Sequence, residues 1–132
     1  MTTTTPIPVA SIIDLSTKSV GLERETGNAV FMPSRNGGPP ARIPGYTVSV
    51  WFAEGDSPHA GELHPDADEL LYSVSGRIVI VLELADGVRR VEIGPGEAAV
   101  VPRGTWHQIE MKEPGQILNI TPGPNADWRP LA

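Results

Sequence analysis

The chain has 132 residues and a mass of 14.1 kDa, long enough for one domain that buries roughly two thirds of its unfolded surface and too short for two. Sixteen acidic against ten basic side chains give a net charge of -6 with no lysine- or arginine-rich run, which argues against binding to nucleic acid or to an anionic membrane surface and leaves small molecules as the expected partners. With no cysteine, disulfides, thiolate metal sites and thiol nucleophiles are excluded together, and any metal must use imidazole and oxygen.

Met1 to Pro8 is rich in threonine and proline and reads as a mobile tail. Met1 to Ala10 lacks both the basic and the unbroken apolar segment of a secretory signal, and no apolar run is long enough to span a bilayer, so the expectation is a cytoplasmic protein. Fourteen glycines and fourteen prolines interrupt the chain too often for long helices, and no segment keeps a helical apolar stripe over three turns. The fold class is therefore all-β. Ala29 to Met32 suits a short strand, and Ser34 to Pro44, containing Gly37-Gly38-Pro39-Pro40, an extended loop. From Gly45 onward strand signals become regular: Tyr46 to Phe52, Glu69 to Val74, Arg77 to Leu84, Val88 to Ile93, Ala98 to Val101, His107 to Met111 and Gln116 to Ile120. The expected division is an N-terminal part, 1–44, and a barrel, 45–132.

Turn chemistry supports those strands. Asp86-Gly87 is a two-residue hairpin signal, because a type I′ turn needs positive φ at both central positions, and Gly94-Pro95-Gly96 and Pro102-Arg103-Gly104 are further breaks. Arg77 to Leu84 is apolar on both faces, as expected of a strand with one face in a barrel interior and the other covered.

His64, Glu69 and His107 are the residues that point to chemistry. Side chains alternate across a strand, so Glu62 and His64 share a face; the Pro65 to Asp68 connection then returns the chain so that Glu69 points to that face from the next strand, and His107 approaches from a third. Two imidazoles and a carboxylate suit a first-row divalent ion and leave coordination positions open. Glu62 either joins them as a ligand or faces solvent. His59 has the wrong parity in a regular strand and reaches the cluster only if Gly61 permits a bulge. Met111 shares the parity of His107 and is expected in the same cavity, whereas Tyr72 has the opposite parity from Glu69 and Trp106 the opposite facing from His107. Asp66 and Asp68 suit local turn hydrogen bonds, Trp51 and Phe52 suit core, cavity mouth or an interface, and Arg77 and Arg103 suit solvent or an anionic substrate.

Two blocks, Glu62-Leu-His64-Pro-Asp-Ala-Asp-Glu69 followed by Gly76, and Gly96, Pro102, Gly104 and His107, resemble in order and spacing the two motifs of the cupin superfamily. The resemblance implies a single-domain cupin β-barrel or jelly roll, a homodimer, and a divalent metal ion, iron, manganese, nickel or zinc, held by Glu62, His64, Glu69 and His107. The chain departs from the family pattern at three places. Glu62 stands where metal-binding members usually carry histidine, the opening glycine is one place early at Gly55, and Met111 replaces the closing asparagine. The expected function is a metal-dependent cupin protein acting on a small organic molecule, with a dioxygenase or isomerase reaction and Glu62 and Glu69 as catalytic carboxylates. Glu62, if unligated, is the natural general base. Two alternatives differ in class: a metal-free isomerase or epimerase with a histidine base and Tyr72 as acid, and a non-catalytic module that binds or senses a small ligand.

Overall fold

The computed structural model describes residues 4–33 and 41–131. All regular structure in them is β, in two antiparallel sheets. Along the chain the strands are β1 (Thr5–Pro6), β2 (Val20–Glu23), β3 (Ala29–Phe31), β4 (Gly45–Ala53), β5 (His59–Leu63), β6 (Glu69–Ser73), β7 (Arg77–Leu84), β8 (Gly87–Ile93), β9 (Ala98–Val101), β10 (Trp106–Glu113), β11 (Gly115–Gly123) and β12 (Asp127–Pro130). One sheet has the order β1-β3-β2-β4-β11-β6-β9 and the other β12-β5-β10-β7-β8, a jelly-roll sandwich. Among the described residues no helix is long and apolar enough to cross a membrane.

All seven strands expected from Gly45 onward form, as does the one at Ala29, with ends that differ by a few residues. Four further strands carry weak signals. β1 falls inside the segment read as a mobile tail and pairs with β3, Thr5 opposite Phe31; residues 1–3 of that segment lie outside the described residues. β2 is interrupted by Gly21, β5 is bulged, and β12 ends in proline at a sheet edge, where a missing N–H costs no ladder bond. Of the expected loop, residues 34–40 lie outside the described residues and 41–44 are non-strand. The β7–β8 connection is one place earlier than predicted. Leu84 pairs with Gly87, so Ala85 and Asp86 form the turn and Gly87, at φ 129°, opens β8, while Asp86 keeps a negative φ.

The core lies between the two sheets and runs up to the polar cluster, Leu82 standing opposite His107 and Val101 opposite Glu69. Ile78, Ile80 and Leu82 of β7 pack with Leu71, Val101, Ile109 and Ile117. Val79 and Val81, on the other face of β7, are buried as well. Arg90 of β8 stands opposite Val81 and Glu110 of β10 opposite Val79, and their ion pair, 2.9 Å from Nη1 to Oε2, bridges across β7 on that face. The apolar character of this strand on both faces is explained by that cover.

β4 must start directly against β2. Gly45 has φ 127°, and a Cβ there would stand 2.1 Å from the carbonyl oxygen of Leu22. Gly87 has nearly the same φ but open space around it. Alanine at Gly87 is therefore expected to cost about 1–2 kcal/mol, the strain of the backbone alone. Gly45→Ala should cost clearly more, because the backbone of β2 has to move. Chemical denaturation of the two variants checks this, and equal losses would contradict the steric account.

Candidate metal centre

The inward-facing residues of several strands change from apolar to polar along their length. On β10 Ile109 belongs to the core and His107 to the polar end; on β6 the same holds for Leu71 and Glu69, and on β11 for Ile117 and then Asn119 and Thr121. His107 stands directly opposite Glu62 of β5. His64 follows the end of β5, and its carbonyl accepts a hydrogen bond from the Gly104 amide at 2.8 Å, which ties the connection after β5 to the turn before β10. Asp66 accepts from the backbone and side chain of Asn125, and Asp68 from the Arg103 amide. These two aspartates thus brace distant loops instead of making the local turn bonds expected of them.

Glu69 arrives from the facing sheet. The expectation of one shared face is corrected to two: β5 and β6 belong to different sheets, and the 65–68 connection crosses between them. Glu69 Oε1 lies 3.1 Å from His107 Nε2 and Oε2 lies 3.5 Å from His64 Nε2. Glu62 Oε1 is 3.6 Å from the same His64 nitrogen. One donor atom each from Glu62, His64 and His107 fall within 4.8 Å of one another, and an ion held at about 2.1 Å from each donor needs separations of about 3–4 Å. All four predicted residues are thus brought together.

Thr121 Oγ1 donates to Glu69 Oε2 at 2.6 Å, Asn119 Nδ2 donates to Thr121 Oγ1 at 2.6 Å, and Ser49 Oγ donates to Asn119 Oδ1 at 2.8 Å. Burial works to raise the Glu69 pKa, but the close contact with His107 and the attraction of both imidazoles outweigh it and hold the carboxyl far below the usual carboxylate range. Burial likewise works against protonation of His107, and is outweighed by the Glu69 carboxylate and the Thr105 carbonyl, so its pKa is raised. His107 Nδ1 lies 3.0 Å from that carbonyl, which orients the ring with Nε2 toward the cluster, the usual arrangement behind a ligating imidazole.

The donor set fits a divalent ion on an observation independent of spacing. His64 is 2% exposed, and neither of its ring nitrogens has a hydrogen-bond partner. A buried imidazole left this way loses the bonds it made with water, and a metal at Nε2 would restore one of them.

A cavity of about 1250 Å³ opens beside the cluster, lined among others by His59, Glu62, Glu69, His107 and Trp128; His64 is not on its lining. The β5–β12 register slips between Arg129 and Pro130, which face Gly61 and His59, so Ala60 is the extra residue of a bulge. That bulge brings His59 to the cavity, with Nε2 3.6 Å from Glu62 Oε2 and its ring edge-on to Trp128. Burial lowers the His59 pKa. On the outer face Arg129 crosses Gly61, lies 4.1 Å over the Trp106 ring and pairs with Glu83. Met111 does not line the cavity; it packs on the apolar core, because the interior has already turned apolar at Ile109. Tyr72 is off the lining too, which removes the acid of the metal-free isomerase reading. Arg77 pairs with Glu92, and Arg103 is exposed, so neither serves the cavity. Trp51 lines the cavity and packs against the core, while Phe52 sits exposed at its rim.

Thr47, Ser49, Asn119 and Thr121 are not among the residues that the sequence singles out. Their signal is two polar residues at alternate positions in each of two otherwise apolar strands.

The cupin domain model matches residues 50–121. The chain is similar to a cupin-2 domain containing protein from Shewanella frigidimarina, at 27% identity over 59% of this chain and 71% of that one, with a TM-score of 0.50. It is also similar in fold to a variant oxalate decarboxylase of Bacillus subtilis, at 21% identity over 63% of this chain, with a TM-score of 0.55. The match spans 23% of the decarboxylase chain. No curated protein matches the sequence.

In metal-free protein the Glu69–His107 pair sets a pH window. The lowered Glu69 pKa gives stability that is present above the ordinary value of 4.5 and lost as pH falls through the depressed one. The raised His107 pKa gives stability that is full below 6.5 and lost as pH rises through the raised value. Both act together between those limits. In chelator-treated protein Glu69→Gln should therefore cost most there, about 3 kcal/mol, and progressively less at higher pH. Thermal melts across the range check this, and a loss that does not diminish as the pH is raised into the alkaline range would contradict the pairing.

Proposed function

The chain belongs to the cupin family, and on that premise we propose that it is a metal-dependent cupin protein acting on a small organic molecule. The observation that carries this reading is the buried His64, without a hydrogen-bond partner and with its Nε2 facing two carboxylates within 3.6 Å. His64, His107 and Glu62 would hold the ion, with Glu69 completing the set. Two carboxylates beside two imidazoles make a hard, oxygen-rich site suited to iron, manganese, nickel or zinc. The bound ion supplies Lewis acidity toward substrate oxygens and, in the case of iron, access to dioxygen, for which a dioxygenase reaction is the matching class.

The chain's own residues supply the rest. Glu69, fixed by Thr121, holds the two imidazoles facing one point between the sheets. Glu62 keeps one oxygen toward His64 and the other toward His59, so with the first oxygen on the ion the second orients the His59 imidazole, which can accept a proton from a substrate lying in the cavity. Trp51 and Trp128 give the cavity apolar wall, which limits water around such a substrate.

The reading includes a homodimer. Register places Val48, Ile120, Leu70 and Val100 in one row across the outer face of the seven-stranded sheet, each at least partly exposed, and an apolar face of this kind suits a two-fold interface.

Protein purified without chelators should carry close to one equivalent of divalent metal per chain by elemental analysis, and His64→Ala or His107→Ala should abolish it. A full metal signal in either variant would remove the proposed site. Light scattering on the same samples should give twice the chain mass, and a monomer would remove the dimer.

A further inference from the structure

Between β1 and β2 the chain forms a loop, Pro8 to Asp14, that holds two aliphatic side chains out in solvent. Val9 is 99% and Ile12 101% exposed, so neither is covered by the rest of its own chain. The loop is nonetheless shaped. The amide and hydroxyl of Ser11 both donate to the Pro8 carbonyl, at 3.3 and 2.7 Å, and the Asp14 carboxylate accepts from the amide and hydroxyl of Ser16. Ala10, between the two bare residues, has φ 62° and is the one residue other than glycine with positive φ among those described. Backbone held in that region costs energy, and here it presents Val9 and Ile12 as a knob whose burial is still to be gained.

A face that suits the knob lies on the same sheet. The row of Val48, Ile120, Leu70 and Val100 is flanked by a row holding Leu22 and Tyr46 and by a row holding Val50 and Tyr72, and no strand residue in the three rows is charged. An antiparallel sheet with one wet face normally alternates to polar residues there. Five strands about 4.8 Å apart and three rows about 6.8 Å apart make a face of roughly 500 Å², short of the about 800 Å² that each partner gives to a stable pair. A knob from each chain brings the buried surface closer to that size. Charge selects the occupant: the chain carries a net charge of -6, and an uncharged knob on an uncharged face is a contact that two copies can make without repulsion.

We propose that the Val9–Ile12 loop of each chain seats on the outer face of the seven-stranded sheet of a second copy, in a two-fold exchange. This rests on the dimer reading above and names the segment that holds the pair together. The loop continues into Leu15 to Ser19, which line the cavity, with the Leu15 carbonyl accepting from the Val50 amide of β4. Anchoring the loop in the partner therefore also steadies one wall of the site.

Sedimentation and light scattering over a dilution series test this. Val9→Asp/Ile12→Asp should raise the dissociation constant of the dimer at least about a thousandfold and run at the mass of one chain, because each substitution counts twice in a two-fold pair. Val100→Asp, on the receiving face, should do the same, whereas Val88→Asp, 67% exposed on β8 of the other sheet, should leave the dimer intact. All three should keep the circular dichroism and the metal content of the wild type. Ile12→benzoylphenylalanine, which keeps an apolar knob, should photo-crosslink to outer-sheet peptides of the partner. A loop variant that stays dimeric, or crosslinks confined to other peptides, would overturn the knob and leave the dimer reading standing. A dimeric Val100→Asp would overturn the receiving face, and a monomeric Val88→Asp the choice of sheet. A monomeric wild type would defeat both readings, and if it also co-sedimented with phosphatidylcholine vesicles the knob would belong to a lipid surface instead.

Discussion

A carboxylate held almost entirely out of water is the constraint around which this interior is organised. An ionised glutamate in such surroundings persists only when its oxygens are fully engaged, and removal of a partner leaves a charge that costs several kcal/mol. Glu69 meets that demand with groups from three other places: the Thr121 hydroxyl beside it in its own sheet, His107 from the facing sheet, and His64 from the crossing between sheets. The same contacts that neutralise the carboxylate fix the imidazoles. Positioning of the ligands and solvation of the acid are thus one arrangement, and a divalent ion substitutes for protons without requiring a new one.

The rest of the sandwich supports this by dividing the interior lengthwise. Ile78, Ile80, Ile109 and Ile117 pack as an aliphatic core, and β6, β10 and β11 present polar side chains farther along their length while β7 stays apolar, with Leu82 directly opposite His107. A rigid apolar floor under a polar cavity is what a preorganised site needs, because side chains rooted in packed strands cannot drift from their partners. The bulge at Ala60 adds one local irregularity, and its consequence is chemical: it turns His59 toward the cavity on a strand whose regular pleat would have pointed it away.

The fold is legible in the sequence where strands alternate and turns are marked. Long strands such as β7, β10 and β11 declare themselves by apolar residues between glycine and proline breaks. β2, β5 and β12 do not, since Gly21, the Gly61 bulge and Pro130 interrupt the pattern and pairing with longer neighbours is what makes them strands. His64, Glu69 and His107 are legible from residue type and spacing, as is the dependence of His59 on a bulge. The sheet to which each residue belongs is not. Parity gives a face but no partner, so it puts Glu69 on the face of Glu62 although the residue comes from across the sandwich, and it puts Met111 in the cavity because nothing in the pattern says where a strand's interior turns apolar. The polar wall of Thr47, Ser49, Asn119 and Thr121 is visible as alternation in β4 and β11, but threonine and serine in strands are common enough that only the Glu69 contact gives them meaning.

Convergence of two imidazoles and a carboxylate from facing sheets on one ion is tested most directly by X-ray absorption at the zinc edge of zinc-loaded protein. Two imidazoles should appear in the scattering, with the remaining ligands oxygen. A spectrum without imidazole scattering, that of an ion held by carboxylates and water alone, would contradict the account.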